Sequence, residues 1–235
     1  MRLVRLALFG AAFAAAAPAC TTEGGAGFFI VQNNVPSEGC TIPSDVSSSF
    51  LSRGAVEVDF AAGYLFTPVA QSLFQTSENG NVDHVIFVQG ADVSISFPND
   101  ELDGYSFRQM FSGSIFPGGT TSFGFQILSR GDLDEIAALG ADDVEVRAEV
   151  AMFGAADGED VEAEPYFYNL NACRGCVAFD LGVACEDIPS GTVVRQGGTC
   201  DIFQDAQVDC CEDPLLGDPD LDNQLCPGQL TSSGT

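Results

Sequence analysis

Asn171-Ala172-Cys173-Arg174-Gly175-Cys176 is the point where two kinds of sequence meet. Before it lie about 130 residues of alternating apolar and polar positions with one cysteine, Cys40. After it, Cys185, Cys200, Cys210, Cys211 and Cys226 punctuate a segment with little regular pattern. The junction predicts a strand-built body locked to a disulfide-held tail, which is the build of an exported protein. No motif around it specifies a reaction.

Upstream, the alternation predicts strands one after another. Gly27 to Gln32 opens the series, and over Arg53–Ala62 the residues Val56, Val58 and Phe60 face one way with Glu57 and Asp59 opposite. Tyr64–Val69 continues extended, with Pro68 confining it to an edge or a bend, and Leu73-Phe74 closes a short helical turn. Asn79-Gly80 is a hairpin signal. His84–Val88 and Asp92–Phe97 form the next pair, followed by Tyr105–Phe116 and by Thr121–Leu128, where Phe123, Phe125 and Ile127 share a face. Asp132–Leu139 reads as the one helix, with Asp132 as N-cap and Gly140 as stop. Val144–Phe153 and Val161–Leu170 complete the set. The expected fold is an all-β antiparallel sandwich, immunoglobulin-like in general architecture, with a disulfide-rich C-terminal cap. The 19 phenylalanines, mostly on inward faces, can fill the space between its two sheets in a chain with no tryptophan.

The chain starts with Arg2 and Arg5, an apolar run from Leu6 to Ala17, and then Pro18-Ala19-Cys20, the layout of an export signal. The run is shorter than the roughly 20 residues that a spanning helix needs. Residues 1–19 are therefore expected to be removed and Cys20 to be acylated, with 20–27 a flexible tether, 28–185 the sandwich and 186–235 an acidic, cysteine-rich tail. Loss of Arg2 and Arg5 takes the formal charge from -26 to -28. So acidic a chain is repelled by phosphate backbones and anionic headgroups, which excludes nucleic acid and leaves the lipid as the attachment to a membrane.

Cys40, Cys173, Cys176, Cys185, Cys200, Cys210, Cys211 and Cys226 make an even set, hence four bridges with about a hundred possible pairings. Cys40 stands alone and needs a distant partner in the tail. Export, and a single histidine, argue against reading Cys173-x-x-Cys176 as a zinc site, and no βαβ pattern surrounds it to suggest a redox motif.

Residues along this body resemble an uncharacterised family of predicted surface lipoproteins of myxobacterial type. The likeness rests on Cys20-Thr21-Thr22, Phe29 to Asn34, Glu38-Gly39-Cys40-Thr41-Ile42-Pro43, Tyr64 to Pro68, Gly90-Ala91-Asp92-Val93 and Tyr166 to Cys176. It covers most of residues 20–185 and does not extend into the acidic tail. It implies a cell-envelope location, at the outer membrane or cell surface, and the fold, and it implies no chemistry. Without the lipid, the chain would be secreted.

Few residue sets offer chemistry. No Gly-x-Ser-x-Gly turn accompanies Asp83-His84, so His84 reads as an edge or surface residue. Asp157, Glu159, Asp160, Glu162 and Glu164 read as a solvated acidic face. Asp218, Asp220 and Asp222 place oxygens as a calcium loop does, and Asp209 and Asp213 could add more. An EF-hand would have glycine and glutamate where Asn223 and Gln229 stand. The expectation is a non-enzymatic structural or interaction protein, binding an envelope protein or polysaccharide. A calcium-dependent adhesion or carbohydrate-binding module is the alternative, and a carbohydrate-active enzyme the third reading.

Overall fold

A computed structural model describes residues 27–76, 84–99, 102–184, 187–212 and 224–225. The strands run β1 (Phe28–Asn33), β2 (Gly54–Glu57), β3 (Gly63–Phe66), β4 (Pro68–Ser72), β5 (Ile86–Ser96) and β6 (Tyr105–Ile115). They continue as β7 (Thr120–Ser122) and β8 (Phe125–Ser129), and the helix α1 (Arg130–Ala138) follows. Then come β9 (Asp143–Ala156), β10 (Glu159–Glu162), β11 (Tyr166–Cys173), β12 (Ala178–Ala184), β13 (Val208–Glu212) and β14 (Gln224–Leu225).

The all-β sandwich forms. One layer is a six-stranded sheet ordered β2–β11–β9–β5–β6, with β10 beside the end of β9. The other contains β1–β4–β7 and β3–β8. The Phe123 N–H donates to Pro68 O (2.9 Å) where β7 passes into β8, so the two small sheets act as one bent layer. A third sheet, β12–β13–β14, carries the cysteine-rich tail. Two pairs, β2–β11 and β12–β13, are parallel rather than antiparallel.

Alternation drives the burial. Val144, Val146, Ala148, Val150 and Met152 of β9 point inward, against Ile86, Val88, Val93 and Ile95 of β5. Aromatic rings fill the space between layers: Phe66 meets Phe125 edge-on at 5.7 Å, and Phe111 stacks on Phe125 at 4.6 Å. Phe123, Phe125 and Ile127 share the buried face as expected.

Several local expectations fail for identifiable reasons. The strand over Arg53–Ala62 stops at Glu57, because Val58–Phe60 turn the chain, and Glu57 is buried instead of facing water. His84–Val88 and Asp92–Phe97 are one strand, β5, not two; Gly90 supplies no break, because with no Cβ it lets the Phe153 ring and the Gln109 carbonyl close in. Pro68 opens the central strand β4, where its missing N–H is tolerated at the first position. Leu73-Phe74 form no helical turn; Phe74 O accepts from Gly118 N–H (2.7 Å). Pro165 lies between β10 and β11, which the alternation joined as one strand. The helix starts two residues early: Ser129 is the N-cap and Asp132 its reciprocal partner in a capping box, with Gly140 (φ 69°) as the left-handed stop. Gly27, the end of the expected tether, is buried and its carbonyl accepts from Leu73 N–H (2.9 Å), so it belongs to the body. The hairpin signal at Asn79-Gly80, the export signal and Cys20 lie outside the described residues.

Cys40 does bond to a distant tail cysteine, Cys200, across a sequence separation of 160. Such a loop stabilises by about 5 kcal/mol in the chain-entropy picture. Replacing both cysteines by serine is expected to lower unfolding free energy by roughly that amount, read by urea denaturation with intrinsic tyrosine fluorescence. A loss under about 1 kcal/mol would show that the tail holds its place without the bridge.

Candidate functional site

A dense set of polar groups lies where the tail meets the outer edge of β2. Residues Phe203–Asp205 run along this edge as a surrogate strand: Glu57 N–H donates to Phe203 O (3.0 Å) and Asp205 N–H to Ala55 O (2.9 Å). Asp205 then uses its side chain, accepting from Ala55 N–H (2.9 Å), from the Tyr64 hydroxyl (3.0 and 3.1 Å) and from Gln204 Nε2 (2.9 Å). Its backbone is left-handed (φ 61°), a conformation that Asp and Asn tolerate better than most residues. Gln204 clips β3, accepting from Leu65 N–H (2.8 Å) and donating to Leu65 O (2.7 Å). The Tyr64 proton points to Asp205, so Tyr168, 2.8 Å from the Tyr64 oxygen, donates to it. Gly54 sits against both hydroxyls, and a side chain there would strike the Tyr64 oxygen.

Burial sets the electrostatics of this chain of protons. It pushes Asp205 from 3.8 up to about 6, with the Ala55, Gln204 and Tyr64 hydrogen bonds pulling the other way. Tyr64 is raised well above the usual phenol value, first by burial and then by the Asp205 charge. Tyr168 is raised chiefly by burial. A cavity of about 200 Å³ lies beside Asp205, walled by Val35, Pro36, Leu51 and the Gly197–Cys200 loop. Every oxygen of the Asp205 carboxylate already has a donor from the protein, so the arrangement holds a proton network in place; it does not aim a free base into the cavity.

A second carboxylate, Glu57, supports the Cys-x-x-Cys turn. It is 1% exposed, and it accepts from Gly175 N–H (2.8 Å) at Oε1 and from Val177 (3.2 Å) and Ala178 (3.1 Å) N–H at Oε2. Three backbone donors satisfy the buried charge. Cys173 and Cys176 are bonded to each other across that turn, and Cys210 and Cys211 are disulfide-bonded too.

The remaining candidate residues are scattered. His84 pairs with Asp157 and lies tilted against the Phe74 ring (centroids 5.4 Å), both members of the pair being exposed. Among the described residues no hydroxyl or thiol bonds to His84. Glu159, Asp160, Glu162 and Glu164 are exposed, as expected of a solvated acidic face. Asp209 is held by Arg195, through its backbone N–H (2.9 Å) and its guanidinium, which draws the carboxyl below the usual range. Its oxygens are therefore engaged by an arginine. Among the described residues no three His, Cys, Asp or Glu side chains form a group able to hold a metal. Cys185, Cys226, Asp213, Asp218, Asp220 and Asp222 lie outside the described residues.

Sequence reasoning missed Glu57, Tyr64, Tyr168, Gln204 and Asp205. Asp205 is 141 residues from Tyr64, and no local spacing signals a contact of that range. No protein-family profile matches the chain, and no curated protein matches it.

Two substitutions test this junction. Glu57→Gln keeps the shape but turns an NH₂ toward backbone donors, and is expected to cost about 2 kcal/mol or more in urea denaturation. Asp205→Asn tests the network by pH. Because the folded pKa of Asp205 is raised, its contribution is full below about pH 4 and is lost as pH climbs through about 6. The melting-temperature advantage of the wild-type chain over Asp205→Asn should therefore shrink between about pH 4 and 6.5. Parallel curves would show that Asp205 titrates as it does in the unfolded chain.

Proposed function

We propose that the chain is an exported protein held on the cell envelope by a lipid on Cys20, and that its sandwich serves there as a non-enzymatic interaction scaffold. The observation that carries this reading is the cysteine chemistry. Every cysteine among the described residues, from Cys40 to Cys211, is in a disulfide, and bridges of this density belong to oxidising compartments outside the cytoplasm. The likeness to myxobacterial-type surface lipoproteins, read from Cys20-Thr21-Thr22 onward, supports the same placement. In the body, the buried Glu57 and half-buried Asp205 carboxylates are consumed in holding the tail, which suits a rigid display platform. The partner is an envelope protein or polysaccharide that reads the exposed sheet surface.

The anchor is the testable part. Cells producing the full chain and fed an alkyne-bearing fatty acid are expected to label it, and the protein should enter the detergent phase on Triton X-114 partition. Cys20→Ser should lose the label and move to the aqueous phase. An unlabelled, aqueous wild-type protein refutes the anchored reading.

A further inference from the structure

The two outer edges of the six-stranded sheet are treated differently. The β2 edge is closed by Phe203–Asp205, whereas the β6 edge is open: among the described residues, no backbone hydrogen bond joins Tyr105–Met110 to anything but β5. Proteins usually guard such an edge with charge, proline, bulges or a covering loop. Tyr105–Met110 has no proline, and no acidic residue in a chain that carries 34. Its one charge, Arg108, is bound to Asp92 by two hydrogen bonds (2.7 and 2.6 Å) and lies over the Phe153 ring (4.5 Å). A bulge appears only beyond Met110, where Phe111 and Ser112 together oppose Gln89. Tyr105, Phe107 and Gln109 on the inner side are only half-buried, and Met110 is 62% exposed.

We propose that this edge pairs antiparallel with the same edge of a second copy, about a two-fold axis through Phe107, joining two six-stranded sheets into one. The charge pattern points to a second copy. At a net charge of -28 after loss of residues 1–19, two copies repel, and Tyr105–Met110 lets them meet with no carboxylate in either paired segment, its neighbour Asp92 being bound by Arg108. The strand's own sequence selects the register. Centred on Phe107, the pairing sets Phe107 against its mate, Tyr105 against Gln109 and Ser106 against Arg108. Centring on Arg108 would oppose two guanidiniums, and centring on Gln109 would run into the bulge.

Sedimentation velocity on residues 20–235, with native disulfides and Cys20→Ser for solubility, tests the proposal. The expected result is a concentration-dependent dimer. Ser106→Lys places a cation opposite Arg108 of the mate twice over and should weaken the dimer about tenfold or more. Ser106→Glu should leave it as tight or tighter. Net charge alone gives the reverse order, since Lys lowers and Glu raises the repulsion between copies, and both variants lose the same Ser94–Ser106 hydrogen bond. Circular dichroism melting confirms that each variant is folded. A monomer up to about 0.3 mM, on the scale of an affinity too weak to form a specific dimer, would overturn the proposal. So would variants that follow net charge, or that leave the dimer unchanged.

Discussion

The fold depends on the closing of the β2 edge by chain that arrives 150 residues later. A four-residue strand at the end of a sheet presents backbone groups that must find partners or water. Here Phe203–Asp205 supplies them, and the Asp205 side chain adds an acceptor where the surrogate strand has none to give. Ordering so distant a segment carries a large entropic cost. The Cys40–Cys200 bridge, five residues from Asp205, lowers it by restricting the unfolded chain. Asp205 and the disulfide are thus two parts of one device: the bridge brings the segment near, and the carboxylate fixes its register.

The same logic explains how so acidic a chain stays compact. Most carboxylates among the described residues remain in water, where they repel one another weakly through solvent and salt. Glu57 goes inside, and it does so only where three N–H groups converge on it. The scarce arginines act as clamps. Arg130 donates to the Val58 and Ala61 carbonyls as well as to Asp134, and Arg174 joins Asp59 to the Ala137 carbonyl at the helix end. The ion pairs are partly exposed and contribute little by themselves. Their effect is geometric: Arg130 and Arg174 tie α1 to the turn after β2, beside the Cys173-x-x-Cys176 loop.

How much of this was legible follows from the range of each interaction. The alternation in Val144–Val150 and the shared face of Phe123, Phe125 and Ile127 gave sandwich strands, because the period-2 pattern is local. The placement of Cys40's partner in the tail was also legible, since an isolated cysteine has no nearer choice. The errors arose where neighbours far along the chain decided the outcome. His84–Val88 and Asp92–Phe97 read as two strands, but they are joined through Gly90, where Phe153 and Gln109 approach closely. Glu57 looked solvent-facing by alternation, but the chain turns after it and tucks its carboxylate beneath Gly175. The tyrosine–aspartate network combines residues from β3, β11 and the tail, and nothing in any one of those stretches announces the other two. Within the tail, Ala178-Phe179-Asp180-Leu181 carried a strand signal that the neighbouring glycines and cysteines obscured.

The closed and open edges of the large sheet bear on the proposed surface role together. Capping β2 with a covalently tethered loop removes one edge as a site of uncontrolled pairing, so any strand addition is directed to β6. A pairing of about six residues forms between free molecules as a concentration-dependent equilibrium. On the proposed reading, the seven residues from Cys20 to Ala26 hold the body within about 25 Å of the bilayer. Copies confined to such a layer meet at an effective concentration far above that of free protein, which raises the paired fraction beyond that in solution. The strand, free of carboxylates, is then a controlled contact: the repulsion between acidic copies is reduced where it meets its mate.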